Sequence, residues 1–334
     1  MSLDADQIVD RRRMRRKLTF WRTLTVLLVV GVLLALGGAL RRDGVDMFAA
    51  ASPSIARVTI TGLIRNDQER VTALTRLANS QAKAVIVHIN SPGGTTAGSE
   101  ELHHSLVALK SKKPTVVVVD GLAASGGYIA AIAADHIVAR ETSLVGSIGV
   151  LFQFPNVGEL LSKLGVSMEE VKSSPLKAAP NGFEPTSPEA RAAIAALVKD
   201  SYDWFRTLVK DRRQLDDAGL DSVADGRVFT GRQGVPLRLV DELGDEDTAI
   251  AWLAKQSNID PKTPVRDYQL HDRLGDLPFL HTAVVALVNA AGFGALVQHF
   301  DTWGSVQERV NLDGLLALWQ PAFGNRHGWR GRDR

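Results

Sequence analysis

The sequence predicts an α/β fold in which a mostly parallel β-sheet is covered by helices on both faces. Two observations support this prediction. Continuous runs of β-branched residues, such as AVIVHIN (84–90) and TVVVVD (115–120), are typical of strands that are buried on both sides. Stretches long enough to form a helix separate these runs, and a parallel sheet needs such crossover connections.

The predicted elements follow in a regular order. IARVTITGLI (55–64) predicts the first strand, and the polar stretch through Asn79 predicts a helix. AVIVHIN predicts a strand that ends in the loop SPGG, and residues 97–110 predict the next helix. After TVVVVD come a helix of small residues over 125–134, a short strand HIVAR and the turn-rich GSIGV.

The second half begins with a loop rich in Pro, Gly and Ser, KSSPLKAAPNGFEPTSPEA (172–190). Ser187 is predicted to be the N-cap of the following helix, with Pro188 at its first position. DGRVFTGRQGVPLRLVDELG then predicts a strand-turn-helix unit, and DTAIAWLAKQS a helix. FLHTAVVALVNAAGFGALVQHF in the tail predicts a packed or interfacial amphipathic helix. The apolar stripe of the helix after Pro188 is predicted to be Ile194, Leu197, Val198, Phe205, Leu208 and Val209.

A hydrophobic segment near the N-terminus predicts a membrane anchor. RRRMRRK precedes TLTVLLVVGVLLALGGAL (23–40), which as a helix would be about 27 Å long, close to the thickness of a bilayer's hydrocarbon core. The excess of basic residues ahead of it predicts a cytoplasmic N-terminus, with the chain beyond Arg41 outside the cytoplasmic (inner) membrane. The alternative is a cleaved signal peptide, because Ala49-Ala50-Ala51 resembles a cleavage site. The length of the apolar run and the intervening arginines favour a retained anchor.

Composition excludes several kinds of chemistry. The chain has 334 residues, a formal net charge of +2 and no cysteine, so it has no disulfide framework and no thiolate nucleophile. Its eight histidines are scattered without HExxH spacing, which argues against a zinc site. The basic N-terminal cluster adjoins an apolar helix, so it indicates topology rather than nucleic-acid binding.

Ser125 is the candidate for a catalytic nucleophile. It lies in DGLAASGGYIAAIAAD (120–135), directly after a core strand and at the start of a helix of small residues. A helix N-terminus offers unpaired N–H donors to a developing oxyanion, and small neighbours leave room for a substrate backbone. A second glycine loop, SPGG (91–94), follows the preceding strand. Parallel strands bring both loops to the same edge of the sheet. Ser125 is equally a good N-cap residue, so the residues alone leave nucleophile and cap open.

A serine nucleophile needs a base. His88 and His136 belong to predicted strands, where a packed or edge role is expected, and His103 and His104 belong to a polar helix face that is expected to be solvated. Lys177 lies among apolar or small residues of the long loop, but a solvated lysine is the simpler interpretation there. Sequence spacing does not pair any of these residues with Ser125.

Together these stretches resemble the signal peptide peptidase A family, which are membrane-anchored bacterial serine peptidases with a Ser–Lys dyad. SPGG alone is shared with caseinolytic-type proteases and crotonase-fold acyl-CoA enzymes, whereas the combination of AASGGY, GSIGV and DGRVFTGRQ is far more specific. The resemblance implies a crotonase/ClpP-like α/β superfold and a ring- or dome-shaped homo-oligomer. The matching stretches are VIVHINSPGG (85–94), VDGLAASGGYIAAIAADHIVA (119–139), SLVGSIGV (143–150), the loop around Lys177, and DGRVFTGRQ…LVDELG (225–244).

The resemblance also implies roles for individual residues. Ser125 matches the nucleophile, Lys177 the general base, and Ser147 the serine that orients the lysine. The dyad is expected to be completed between subunits. The lysine loop departs from many relatives, because SPLKA stands where they read like G-x-Y/F-K-D. The backbone amides implied for the oxyanion hole are those of Gly93, Gly94 and Gly126.

The predicted function is a membrane-anchored serine endopeptidase that degrades residual signal peptides and similar apolar peptides at the lipid bilayer. No metal or nucleotide cofactor and no nucleic-acid partner is expected. The alternatives are a related membrane protease acting on a stomatin-like partner and a crotonase-type acyl-CoA hydratase or isomerase. The second would need a carboxylate that the helix lacks before Asp135. The predicted segments are a cytoplasmic basic segment (1–22), the transmembrane anchor (23–40), a linker (41–54), the peptidase domain (55–260) and a C-terminal apolar, helical extension (261–334).

Overall fold

The structure of the chain, a computed structural model, describes residues 21–22, 53–257, 259–270 and 316–318. The chain divides into two compact units, Met1–Pro53 and Ser54–Arg334, and everything below concerns the second. No helix among the described residues is both long and apolar enough to cross a membrane. The predicted anchor, 23–40, lies outside the described residues.

The described part of the second unit alternates between strands and helices. The strands are β1 (Ile55–Ile64), β2 (Ala84–Thr95), β3 (Thr115–Ala124), β4 (His136–Ala139), β5 (Leu144–Gly146), β6 (Val228–Thr230), β7 (Glu242–Leu243), β8 (Val265–Asp267) and β9 (Leu316–Leu318). The helices are α1 (Gln68–Ala78), α2 (Thr96–Lys110), α3 (Gly126–Ala131), α4 (Gly158–Lys163), α5 (Pro188–Arg213), α6 (Asp217–Val223), α7 (Gly231–Gly234) and α8 (Glu246–Ser257).

The strands form one mostly parallel sheet, which confirms the predicted fold class. Its main order is β6-β5-β3-β2-β1-β8, with β4 beside the first part of β3 and β7 beside β4. Among the described strands, the pairs β5–β6 and β2–β9 are antiparallel and the others are parallel. The carboxyl ends of β2 and β3 therefore lie at the same edge of the sheet.

Both faces of the sheet are buried, as the continuous β-branched runs predict. Along β2, Val85 and Val87 belong to a large core on one face, whereas Ile86 belongs to a smaller core on the other. The large core includes residues of α1, α2, α3 and α5, and the smaller one packs against α8. Alternation of side chains along a strand explains why neighbouring residues enter different cores.

Side chains cap most of the described helices at their N-termini. The oxygen of the capping side chain accepts a backbone N–H of the first turn, which would otherwise lack a partner. Ser187 and Pro188 begin α5 as predicted, with the Ser187 Oγ accepting from the Ala190 N–H at 3.1 Å. Equivalent caps start α1, α2, α6 and α7. The serine that precedes α3 is different, as shown below.

The two central strands are longer than the sequence predicts. The predicted loop SPGG is part of β2, which continues to Thr95 because Gly93 and Gly94 pair with the end of β1. Gly94 approaches β1 so closely that a Cβ there would lie 1.8 Å from the Ile64 carbonyl oxygen. Gly93 has a φ of 100°, which favours glycine. The two glycines therefore allow β2 to pair closely with β1. They do not form the predicted loop.

The first half of the α5 stripe is not buried in the chain. Phe205 and Val209 are fully buried as predicted, but Leu197 is 53% exposed. Further apolar side chains between α4 and α5 are also exposed, including Leu164, Val171 and Phe183. Within the part of the chain that the structure describes, an apolar surface around the long loop is therefore left uncovered.

Two strands of the sheet come from beyond the predicted peptidase segment. β8 pairs with β1, and β9 pairs with β2. The predicted amphipathic helix of the tail lies outside the described residues. The strand-turn-helix predicted after Asp225 instead consists of a short strand, a single helical turn and a second short strand.

Candidate active site

Ser125 occupies a sharp turn between a strand and a helix. It is the single residue between β3 and α3, with φ 55° and ψ −116°. This conformation is rare for a residue with a Cβ and costs about 1–3 kcal/mol. The Ser125 N–H donates to the Gly146 carbonyl at 2.8 Å, and its carbonyl accepts from the Tyr128 and Ile129 amides at 2.9 and 3.0 Å. A strained strand-to-helix turn of this kind presents the nucleophile in other hydrolases.

The structure separates the two interpretations of Ser125. The residue stands at the N-cap position of α3, but its side chain makes no capping hydrogen bond. The hydroxyl instead donates to the Gly149 carbonyl across 3.4 Å, which is a weak contact. The helix therefore does not depend on this hydroxyl. The residue is 1% exposed, so it is buried in this conformation.

The start of α3 and the glycine-containing end of β2 meet beside Ser125. A Cβ at Gly127 would lie 2.6 Å from the Ser91 carbonyl oxygen, so only glycine permits this approach of α3 to β2. The Ser91 hydroxyl donates to the Gly62 carbonyl at 2.7 Å and accepts from the Gly93 N–H at 3.1 Å. Ser91 therefore fixes the shape of the last part of β2, at the edge where Ser125 lies.

The predicted oxyanion donors differ in their availability. Gly126 is the first residue of α3, so its N–H has no acceptor within the helix. The Gly93 N–H already donates to the Ser91 hydroxyl. This bond argues against Gly93 as the second donor.

Ser147 lies next to Ser125 at the edge of the sheet. β3 and β5 pair in parallel with Ala124 opposite Gly146, and each serine follows its paired residue. Ser147 has a φ of 52°, is 8% exposed, and donates its N–H to the Arg227 carbonyl at 2.8 Å. Its hydroxyl makes no hydrogen bond with any part of the chain that the structure describes. The hydroxyl is therefore free for another partner.

Lys177 lies in an exposed turn of the long loop, with its N–H donating to the Ser174 carbonyl at 3.1 Å. Within the described ranges, its ammonium group forms no hydrogen bond or ion pair, and nothing joins it to Ser125 or Ser147. Lys172 in the same loop behaves differently, because its ammonium lies 2.7 Å from a Glu184 carboxylate oxygen. A single chain thus brings Ser125 and Ser147 together but does not bring Lys177 to them.

His103 corrects the expectation of a solvated helix face. It is 4% exposed, and its Nδ1 lies 2.8 Å from the Ile129 carbonyl oxygen, so the neutral ring donates a proton to α3. Burial lowers the pKa of His103 to about 4, although the bond to Ile129 opposes the shift. His104 is exposed as expected. The sequence of α2 is polar around His103 and gives no sign of this contact. The contact arises because α3 consists largely of small residues and therefore packs close to α2.

Among the described residues, His88 and His136 also have structural contacts. Both ring nitrogens of His88 face carboxylates, Asp120 at 3.0 Å and Glu246 at 2.8 Å. The ring of His136 stacks on Trp252 with 4.8 Å between centroids. Neither contact involves the serine, so neither histidine serves as its base in the chain.

Arg212 is a supporting residue that the sequence did not indicate. Its guanidinium donates to three consecutive carbonyls that follow α3, those of Ile132 at 2.7 Å, Ala133 at 3.0 Å and Ala134 at 2.9 Å. A cation at this end complements the helix dipole and satisfies carbonyls that lack helical partners. Because Arg212 comes from the last turn of α5, no local signal predicts this contact.

Two family models match the chain. The model described as peptidase family S49 matches residues 107–260, and the model described as Clp protease matches residues 56–143. A ClpP1 mutant from Listeria monocytogenes is a solved structure similar to this chain. It has 15% sequence identity and a TM-score of 0.39, and the match covers 57% of this chain and 91% of that one.

Several curated proteins are also similar. A Synechocystis sp. protein named as a protease is 37% identical over 62% of this chain and 76% of its own length. An Enterococcus faecium protein named as a signal peptide peptidase SppA is 31% identical over 65% of this chain and 67% of its own. Protease 4 of Salmonella typhi is 37% identical over 54% of this chain, and this chain spans only 29% of that protein.

The fold and these matches define the class of protein, which is a serine peptidase. The acyl-CoA hydratase alternative is therefore set aside. More narrowly, the chain belongs to peptidase family S49, in which it is similar to the proteins named Protease 4 and SppA.

Proposed function

We propose that the protein is an endopeptidase in which Ser125 of one protomer and Lys177 of a neighbouring protomer form a catalytic dyad. The observation that carries the proposal is the conformation of Ser125. Its backbone is strained, and its hydroxyl does not cap the helix that follows. Strain at a residue that contributes nothing to its own helix is typical of a functional site.

In the proposed mechanism the Ser125 hydroxyl oxygen attacks the peptide carbonyl, and the uncharged amine of Lys177 takes its proton. The amides of Gly94 and Gly126 stabilise the oxyanion of the tetrahedral intermediate. The resulting ammonium protonates the leaving amine, which leaves an acyl-enzyme. Water, deprotonated by the same amine, then attacks the ester, and Ser125 recovers its proton. Ser147 orients the lysine through its free hydroxyl.

The uncovered apolar surface around the long loop supports assembly from several copies. Lys177 lies in this loop, and nothing in the described part of its own chain holds its ammonium. Leu164, Val171 and Phe183 are exposed nearby in sequence, and exposed apolar patches of this kind mark interaction sites. Packing of a second copy against this surface would bury the loop and exclude water from the amine, which favours its uncharged form.

We further propose that segment 23–40 anchors the protein in the cytoplasmic membrane, with the catalytic unit outside. The substrates would be signal peptide remnants and similar apolar peptides. The apolar sequence of this segment supports the anchor. The small Ala and Gly residues around Ser125 support apolar peptides as substrates. Extraction of membranes with alkaline carbonate should leave the full chain in the pellet and release a chain that lacks residues 1–54.

Mixing two inactive variants tests the dyad between protomers. Ser125→Ala and Lys177→Ala should each lose at least about a thousandfold in kcat on a signal-peptide-like substrate. When the two are co-assembled in equal amounts, about a quarter of the junctions carry both native residues, so about a quarter of the activity should return. Lys255→Ala, at an exposed position of α8, is the control and should keep native activity.

Each failure has a distinct meaning. If Ser125→Ala retains activity, the nucleophile is wrong. If Lys177→Ala retains activity, the base is wrong. If both variants are inactive but their mixture stays inactive under conditions that allow subunit exchange, the dyad is not shared between protomers.

A further inference from the structure

The turn that precedes β6 belongs to the DGRVFTGRQ stretch, to which the proposed mechanism gives no role. It consists of Asp225, Gly226 and Arg227, and it lies beside the loop that carries Ser147. The Arg227 carbonyl accepts the Ser147 N–H at 2.8 Å. A Cβ added at Gly149, in the same loop, would lie 3.5 Å from the Gly226 Cα. The turn therefore contacts this loop at two points.

The Asp225 carboxylate determines the shape of the turn. One oxygen accepts the Arg227 backbone N–H at 3.1 Å, and the other accepts Nε of the Arg227 guanidinium at 2.6 Å. An aspartate that bonds the N–H two residues ahead reproduces a backbone turn. The Arg227 side chain is 65% exposed, so its ion pair adds little, and the bond to the N–H is the important one. This bond fixes the direction of the Arg227 carbonyl.

The Arg227 carbonyl holds one side of the Gly146–Ser147 peptide group, and Ser125 holds the other side. The N–H of this group donates to Arg227 at 2.8 Å, and its carbonyl accepts the Ser125 N–H, also at 2.8 Å. A peptide group is planar, so its N–H and its C=O rotate together. Release of one bond would therefore rotate the whole group and weaken the other bond. Ser125 is thus linked to the turn through a single rigid unit.

The backbone on both sides of this peptide group has conformations that side chains rarely adopt. Gly146 has a φ of 94° and Ser147 a φ of 52°. A Cβ at Gly146 would lie 3.1 Å from a ring carbon of Phe229, in the strand that follows the turn. A non-glycine residue keeps a positive φ when its surroundings determine it. At Ser147 the bond to Arg227 is one of the contacts that do so.

We propose that Asp225 is a positioning residue of the active site. Through the Arg227 N–H it fixes the carbonyl that holds the Gly146–Ser147 peptide group, and this group orients Ser125. The inference rests on the proposed function, since it takes Ser125 as the nucleophile. Asp225 does not touch the substrate in this role. Its loss misplaces the reacting hydroxyl, which slows the chemical step and leaves substrate binding largely intact.

Kinetics of variants of the full chain test this role. Asp225→Ala should lower kcat on a signal-peptide-like substrate by about ten- to a hundredfold and change KM by less than about twofold. Asp225→Asn keeps a side-chain oxygen that can accept the Arg227 N–H, so it should recover most of the lost kcat. Its intact mass is checked, because an asparagine before a glycine deamidates readily. Asp221→Ala removes an exposed ion pair with Arg206 and, as the control, should leave both constants unchanged.

A serine-directed fluorophosphonate probe separates positioning from unfolding. The Ser125 oxygen bonds to phosphorus and displaces fluoride, and the hydroxyl proton leaves with it. In Asp225→Ala the labelling rate should fall by the same factor as kcat, and labelling should still reach the native stoichiometry. A merely structural role predicts the opposite, because unfolded molecules lower the labelled fraction while the folded ones react at the native rate.

Amide hydrogen exchange provides a measurement that does not depend on catalysis. In Asp225→Ala the N–H groups of Ser125 and Ser147 should exchange about five- to tenfold faster than in the native chain, since the peptide group to which both are tied is held less firmly. The Asp221→Ala control should leave both exchange rates unchanged.

The proposal is overturned if Asp225→Ala has native kcat, if its labelled fraction falls in proportion to kcat, or if the two amides exchange at native rates. It is also overturned if Asp225→Asn is as slow as Asp225→Ala. Failure of the proposed function is read separately, from a native chain that the probe does not label at Ser125 or from activity that survives in Ser125→Ala. Exchange of the Ser125 and Ser147 amides then decides the role of Asp225.

Discussion

Protonation of His103 should destabilise the protein in acid, because the buried ring is neutral in the folded state. The unfolded chain takes up a proton near pH 6.5, whereas the folded chain does so only near pH 4. Above pH 6.5 the stabilising contribution is fully present, since both states are neutral. As the pH falls from 6.5 to 4, only the unfolded state gains a proton, so the free energy of unfolding decreases. Below pH 4 the loss is complete.

The size of the effect follows from the width of that window. About 2.5 pH units at about 1.4 kcal/mol per unit give a loss of about 3 kcal/mol between pH 6.5 and 4, and about 2 kcal/mol of it has occurred by pH 5. His103 is 4% exposed, so solvent screening reduces this little. The loss is a sizeable fraction of the stability of a typical domain.

The assay compares His103→Asn with the native chain by urea unfolding at several pH values. Asparagine keeps an N–H donor near the position of Nδ1 but does not titrate. The variant should be less stable at pH 7.5, and the difference between native and variant chains should shrink by about 3 kcal/mol by pH 4. His104→Asn, at the exposed neighbouring position, should leave that difference unchanged. A constant difference between native and His103→Asn chains across this range would refute the reasoning.

Two further predictions concern the support of α3. Gly127→Ala should lower kcat and cost about 1–3 kcal/mol of stability, because its Cβ would lie 2.6 Å from the Ser91 carbonyl oxygen. Gly121→Ala, whose nearest neighbour is a side-chain atom at 3.3 Å, should cost less, and an equal loss in both variants would contradict the argument. Arg212→Met should cost about 2–3 kcal/mol in thermal or urea unfolding, since three carbonyls lose a charged donor. Arg232→Met removes only an exposed ion pair and should cost less than about 1 kcal/mol. Similar losses of stability in the two variants would argue against a stabilising role for Arg212 at the end of α3.

The sequence predicts local features well in this protein. The first strand has the predicted bounds, and the start of α5 at Ser187 and Pro188 is confirmed, because propensity and capping act over a few neighbouring residues. The position of Ser125 between a strand and a helix is also confirmed. Its backbone conformation is not predictable from the residue type, since serine rarely adopts a positive φ.

Features that depend on distant contacts were missed for a physical reason. β2 continues through SPGG because β1 and β9 pair with it there, and neither strand adjoins it in the sequence. His103 is buried because α3 is rich in small residues and packs close to α2. Leu197 is exposed although periodicity predicts a buried stripe, because periodicity identifies an apolar face but not the partner that covers it.

The strained turn at Ser125 is maintained by contacts that converge on α3 from three other parts of the chain. Gly146 accepts the Ser125 N–H from the neighbouring strand, His103 of α2 donates to the Ile129 carbonyl, and Arg212 of α5 donates to the carbonyls that follow the helix. Ile129 in turn donates its own N–H to the Ser125 carbonyl. A backbone cost of about 1–3 kcal/mol persists only when its surroundings determine the conformation. The nucleophile's geometry is therefore a property of this whole arrangement, and the motif around the serine would not be sufficient to produce it.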